Sequence, residues 1–177
     1  MGPGPGEGGP RTLVLGLGNE LAGDDAIGLL VARALLVELD GVADVVESSA
    51  SGFALIEILA GYDRAVIVDA ILTGRDPPGT ITEMGMAEVG RVVASSTHQA
   101  GLPELAAVAS RLGLAFPSET VVFAVEVVDP YTLGAGLSAP VAKALEDLIG
   151  RVRERVHRWE HGTGCTTTTR SRPWSTG

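Results

Sequence analysis

Apolar positions along this chain fall into two kinds of pattern that alternate: short unbroken runs, and stripes spaced three and four residues apart. Thr12 to Leu17 is an unbroken run among glycines, which predicts a strand buried on both faces of a parallel sheet. After a turn over Gly18 to Gly23, residues Ile27, Leu30, Val31, Ala34 and Leu35 form the stripe of a helix, with Asp24 or Asp25 placed to act as its N-cap. Further strands are predicted near Ala43 to Glu47, Ala65 to Asp69, Thr80 to Glu83 and Thr120 to Glu126. Helices are predicted near Phe53 to Leu59, over Leu102 to Leu112 and over Ala139 to Arg155, the last with Val141, Leu145, Leu148, Ile149 and Val152 on one face. A Pro- and Gly-rich loop, Thr73 to Gly79, separates two of these elements. Alternating strands and helices imply an α/β fold, a three-layer αβα sandwich around a mainly parallel, twisted sheet of about five strands with right-handed crossovers.

Composition narrows the functional classes. Aromatics are only 4% of the chain, so Val, Leu, Ala and Ile must build the core. Thirteen Lys and Arg against 22 Asp and Glu leave a net charge of −9, which disfavours nucleic acid and anionic lipid as partners. No run is long enough to span a bilayer and Met1 to Pro10 is no secretory signal, so a cytoplasmic protein is expected. The single cysteine, Cys165, reads as a surface thiol rather than part of a disulfide framework or metal cluster. Residues 1–10 and 161–177 hold too little apolar surface to offset ordering entropy, leaving residues 11–160 as one folded domain.

In an open sheet of this class, ligands gather beyond the carboxyl ends of the strands, where strand order reverses. If the first and third strands are neighbours, Asp25 and Asp69 meet there, and His98, in a loop before a helix, can complete the set. Two carboxylates and an imidazole suit divalent Ni, Zn, Mn or Fe with coordination positions left open. Each residue alone has a plainer reading: Asp25 as a helix cap, Asp69 as an acceptor for loop amides, His98 as a surface or capping residue. HExxH, GxSxG and P-loop motifs are absent. Gly16-Leu-Gly18 begins like a dinucleotide fingerprint, but Leu21 stands where its third glycine belongs, so the glycines read as a tight turn.

Three segments taken together, Gly16-Leu-Gly-Asn-Glu-Leu-Ala-Gly-Asp-Asp-Ala-Ile-Gly28, Val66-Ile-Val-Asp-Ala70 and Ser96-Thr-His-Gln-Ala-Gly-Leu102, resemble the hydrogenase maturation proteases in order and spacing. The resemblance spans about Arg11 to Arg155 and implies an endopeptidase. Its implied substrate is the precursor of a nickel-iron hydrogenase large subunit, cut at a C-terminal extension after nickel insertion. It further implies that Asp25, Asp69 and His98 bind that substrate's nickel, with the general base unassigned. A nickel-binding escort without peptidase activity would share the ligand set, and a nucleotide-binding module using Gly16 to Gly18 is a third alternative.

Overall fold

The computed structural model describes residues 9–92 and 101–162; His98 and Cys165 lie outside the described residues. Five strands, β1 (Thr12–Leu17), β2 (Asp44–Ser48), β3 (Arg64–Ile71), β4 (Ile81–Gly85) and β5 (Glu119–Glu126), form one sheet in the order β2-β1-β3-β5-β4. The first four in that order run parallel, and β4 pairs antiparallel to β5 at the edge. Strand order therefore reverses between β1 and β3, which are direct neighbours.

The helices are α1 (Ile27–Leu35), α2 (Ala54–Leu59), α3 (Met86–Val92), α4 (Leu102–Arg111) and α5 (Ala139–Gly162). Side chains alternate across the strands and feed two cores. On one face, Val14, Val66, Val68, Phe123 and Val125 pack with Ile27, Val31 and Leu35 of α1 and Leu148 and Val152 of α5. On the other, Leu13, Leu15, Ile67, Ile71 and Val122 pack with Leu55 and Leu59 of α2, Val89 of α3 and Leu102 and Leu105 of α4. Each fully buried aliphatic side chain contributes about 1.5 to 3 kcal/mol. The layers are thus α1 and α5, the sheet, and α2 to α4. Among the described residues, no helix is long and apolar enough to cross a membrane.

Three departures from the sequence expectation have physical causes. Helix α3 was not expected; it is seven residues long, too short to show a stripe, and Gly90 sits inside it. Helix α5 continues past Arg155 to Gly162, because Val156 and Trp159 extend its buried stripe. Its last turns are also held laterally, the Trp159 carbonyl accepting from Arg64 at 3.2 Å and the Trp159 indole donating to Glu119 at 2.6 Å. Third, β3 does not end at Asp69 but runs to Ile71, because its ladder with β5 persists to the pair Ile71 and Glu126.

Helix α1 sits unusually close to the sheet. A Cβ added at Gly28 would lie 2.2 Å from the Leu17 carbonyl oxygen and 2.4 Å from that of Val68, and one at Gly16 would lie 2.1 Å from the Gly28 oxygen. Only glycine permits this backbone-on-backbone contact. Gly16 and Gly28 are therefore used in helix-on-strand packing.

Candidate active site

The site is assembled where β1 and β3 part company. β1 last pairs with β3 at Gly16 and Val68, whereas β3 and β5 stay paired three residues further. Asp69 is the first residue of β3 beyond that divergence. Its neighbours two positions away, Ile67 and Ile71, belong to the core under α2 to α4, so alternation turns Asp69 toward the same layer. It is fully buried, and its Oδ1 accepts the Ala70 amide at 2.9 Å. A buried acid on an otherwise apolar strand is costly unless its oxygens are bonded, which makes Asp69 the most conspicuous residue of the sheet.

Asp25 arrives from the other side of the divergence. Leaving β1, the chain turns through Gly18, whose φ of +148° and near contact with the Asp25 carbonyl oxygen (1.9 Å to an added Cβ) both require glycine. A 3₁₀ turn over Gly23–Ala26 follows and packs against β3. Asp25 lies in that turn and is 8% exposed. Three residues later, Gly28 rests on the carbonyl of Val68, next to Asp69. The segments that carry the two acids are thus in backbone contact at Gly28 and Val68.

The expected capping role is not what the structure shows. The N-cap positions of the 3₁₀ turn and of α1 are Ala22 and Ala26, and neither has a side-chain cap bond. Asp24, 2% exposed, is instead bonded to a distant loop. Its Oδ1 accepts the Ser138 amide at 2.6 Å, and its Oδ2 accepts the Val128 amide at 3.1 Å and the Ser138 hydroxyl at 2.9 Å. These residues belong to the connection from β5 to α5. Of two adjacent acids, then, one ties the site's loops together and the other is buried in the turn that packs against β3.

Sequence reasoning missed Glu126, which is 2% exposed at the end of β5. It accepts the Thr73 and Gly74 amides, each at 2.7 Å, and the Thr73 hydroxyl at 2.6 Å. It thereby anchors the loop that leaves β3 just after Asp69. The available signal was an acid closing an otherwise apolar run, the same pattern that marked Asp69. Asp129, on the β5 to α5 connection, accepts from the Thr132 hydroxyl and the Tyr131 and Thr132 amides. The Thr132 hydroxyl, with the Tyr131 amide, holds its carboxyl below the usual carboxylate range.

α4 runs back toward the amino edge, where its trailing loop is bonded to the start of β3: the Gly61 amide donates to Ala115 and the Ser118 amide to Asp63, both at 3.0 Å. Its first residue, Leu102, consequently stands at the carboxyl edge, on the face toward which Asp69 turns. Gly101, with φ of +87°, opens the helix and Pro103 occupies its first turn. Among the described residues, no three His, Cys, Asp or Glu side chains are grouped to hold a metal. Two carboxylates such as those of Asp25 and Asp69 would suit a divalent ion only with further ligands from outside the pair.

Known proteins resemble this chain over most of its length. The hydrogenase maturation protease family model matches residues 30–155. The chain is 31% identical over 151 residues to the hydrogenase 2 maturation protease of Escherichia coli K12, covering 81% of this chain and 92% of that protein. It is 28% identical to the hydrogenase expression/formation protein HupD of Rhizobium leguminosarum bv. viciae, over 90% of this chain and 79% of that protein. Among solved structures, the E. coli hydrogenase maturating endopeptidase HybD superposes with a TM-score of 0.70 at 26% identity, covering 84% of this chain and 93% of that one. The [NiFe] hydrogenase maturation protease HybD of Thermococcus kodakarensis gives 0.64 at 25% identity, covering 82% and 99%. A family model over residues 30–155, a relative 31% identical over 151 residues, and the same five-stranded, mostly parallel fold in solved peptidases place this chain in the hydrogenase maturation protease family.

Proposed function

We propose that this endopeptidase removes the C-terminal extension of a nickel-iron hydrogenase large-subunit precursor once nickel has been inserted. In this reading Asp25, Asp69 and His98 contact the nickel carried by the substrate. The observation that carries it is the approach of two buried acid-bearing segments at the strand divergence, when the adjacent acid Asp24 is already committed to Ser138 and Val128. Two carboxylates and an imidazole leave coordination positions open, as a site that must accept an ion already held by a partner requires.

The chemistry follows from positioning. A precursor anchored through its nickel holds its scissile peptide at a fixed place, which turns an encounter of two chains into an effectively intramolecular reaction. Water then adds to the carbonyl carbon, the C–N bond breaks, and the leaving nitrogen takes up a proton. An apo precursor lacks the anchor, so selectivity for loaded substrate needs no separate proofreading element.

The test is cleavage of a large-subunit precursor, with and without nickel, followed by mass spectrometry. The expected result is loss of the extension from the nickel-loaded form only. His98→Ala should abolish it while leaving the circular dichroism unchanged. Binding of loaded precursor with no change in its mass would instead establish an escort, and equal cleavage of both forms would remove nickel from the mechanism.

A further inference from the structure

We propose that the β5 to α5 connection (residues 127–138), together with Leu21, is a docking surface for an apolar, non-acidic segment of the precursor polypeptide. The inference rests on the function proposed above and identifies where the substrate chain lies outside the acid site.

The two connections involved leave β1 and β5, the strands that flank β3, and they meet across its end. The Gly134 amide donates to the Leu21 carbonyl at 2.9 Å, and Asp24 joins the 3₁₀ turn to Val128 and Ser138. A Cβ at Gly23 would lie 3.4 Å from the carbonyl oxygens of both Asp129 and Thr132, so the loop rests directly on the turn that carries Asp25. On this bridged pair of loops four large apolar side chains face solvent: Leu21 (68% exposed), Val128 (52%), Tyr131 (68%) and Leu133 (69%). Single exposed apolar residues are ordinary, but several on loops bonded to each other mark an interaction site.

A peptidase must hold its substrate on both sides of the bond it cuts, and binding energy from remote contacts helps to position that bond. These side chains are well suited to supply it. Internal bonds of Asp129 to the Tyr131 and Thr132 amides shape the loop before any partner arrives, which lowers the entropy lost on docking. Charge decides the occupant's character. Asp129 borders the apolar residues on a chain of net charge −9, and Glu20, beside Leu21, is already paired with Arg33 at 3.0 Å, so an acidic segment would be repelled by Asp129 and an apolar one accepted.

The experiment compares the wild type with Tyr131→Ser/Leu133→Ser in steady-state cleavage of a nickel-loaded large-subunit precursor, and measures precursor binding separately by fluorescence anisotropy. Loss of two docked apolar side chains should raise KM and Kd about tenfold or more, with kcat held within about twofold. Tyr131→Phe/Leu133→Met, which keeps the apolar surface, should retain wild-type KM, and circular dichroism should be unchanged in both. An unchanged KM and Kd in the serine variant overturns the docking surface while leaving the proposed function intact. Binding without cleavage by the wild type overturns the function, and the docking surface is then judged on Kd alone. A wild type that neither binds nor cuts the precursor overturns both.

Discussion

Replacing Asp24 with alanine separates a local capping role from the loop-tying role seen here. The substitution removes three bonds at once, to the Ser138 amide, the Ser138 hydroxyl and the Val128 amide. Bonds to a charged acceptor are worth about 1.5 to 3 kcal/mol each where the partners are dry. Ser138 is only half-buried and Val128 is exposed, so water can replace part of what is lost. A total of about 2 to 4 kcal/mol follows, larger than the ~1 kcal/mol typical of a lost N-cap. For a chain of this size that corresponds to a fall in Tm of roughly 4 to 16 °C. Urea unfolding measures the free-energy change, and amide exchange locates it: Val128 and Ser138 should lose protection together with the 3₁₀ turn. Asp24→Asn, which retains one acceptor oxygen, should cost about half as much. A loss below ~1 kcal/mol, with protection at Val128 and Ser138 unchanged, would refute the tie between the two loops.

Other perturbations probe the remaining elements. Gly28→Ala should destabilise by about 3 kcal/mol or more, read by urea unfolding, because its Cβ would meet two carbonyl oxygens and α1 would have to lift from the sheet; a neutral effect would contradict the backbone contact. Asp69→Asn preserves shape and an acceptor for the Ala70 amide, so stability should change by less than about 1.5 kcal/mol while nickel-dependent precursor cleavage falls at least ~100-fold. Wild-type cleavage by that variant would remove Asp69 from substrate recognition. For Asp129, bonds from Thr132 and Tyr131 hold the folded carboxyl below its unfolded value. Its contribution is therefore present above the unfolded value of about 4 and is lost as pH falls through the depressed folded one. Amide exchange at Tyr131 and Thr132 should accelerate only in that acid range, and Asp129→Asn should abolish the transition; acceleration near neutrality would contradict the assignment.

The apolar pattern alone determined which segments are strands and which are helices, because burial on two faces or along one stripe is a local property of spacing. Thr12–Leu17 could be bounded to the residue in this way. The pattern was silent where an element was too short to repeat, as in α3, and where a stripe was carried on by spaced positions such as Val156 and Trp159. It also marked Asp25 and Asp69 as acids at the edges of apolar runs, but could not set the segments that carry them side by side. That depended on β1 and β3 being neighbours and on glycines at 16, 18 and 28 letting two backbones touch. Nor could it divide the labour between Asp24 and Asp25. Adjacent and identical in type, they differ only in what lies opposite them, and Ser138 lies 114 positions away in the chain. Secondary structure follows from the order of side chains along a segment; a site follows from which segments the packed sheet sets side by side, and only the tertiary structure decides that.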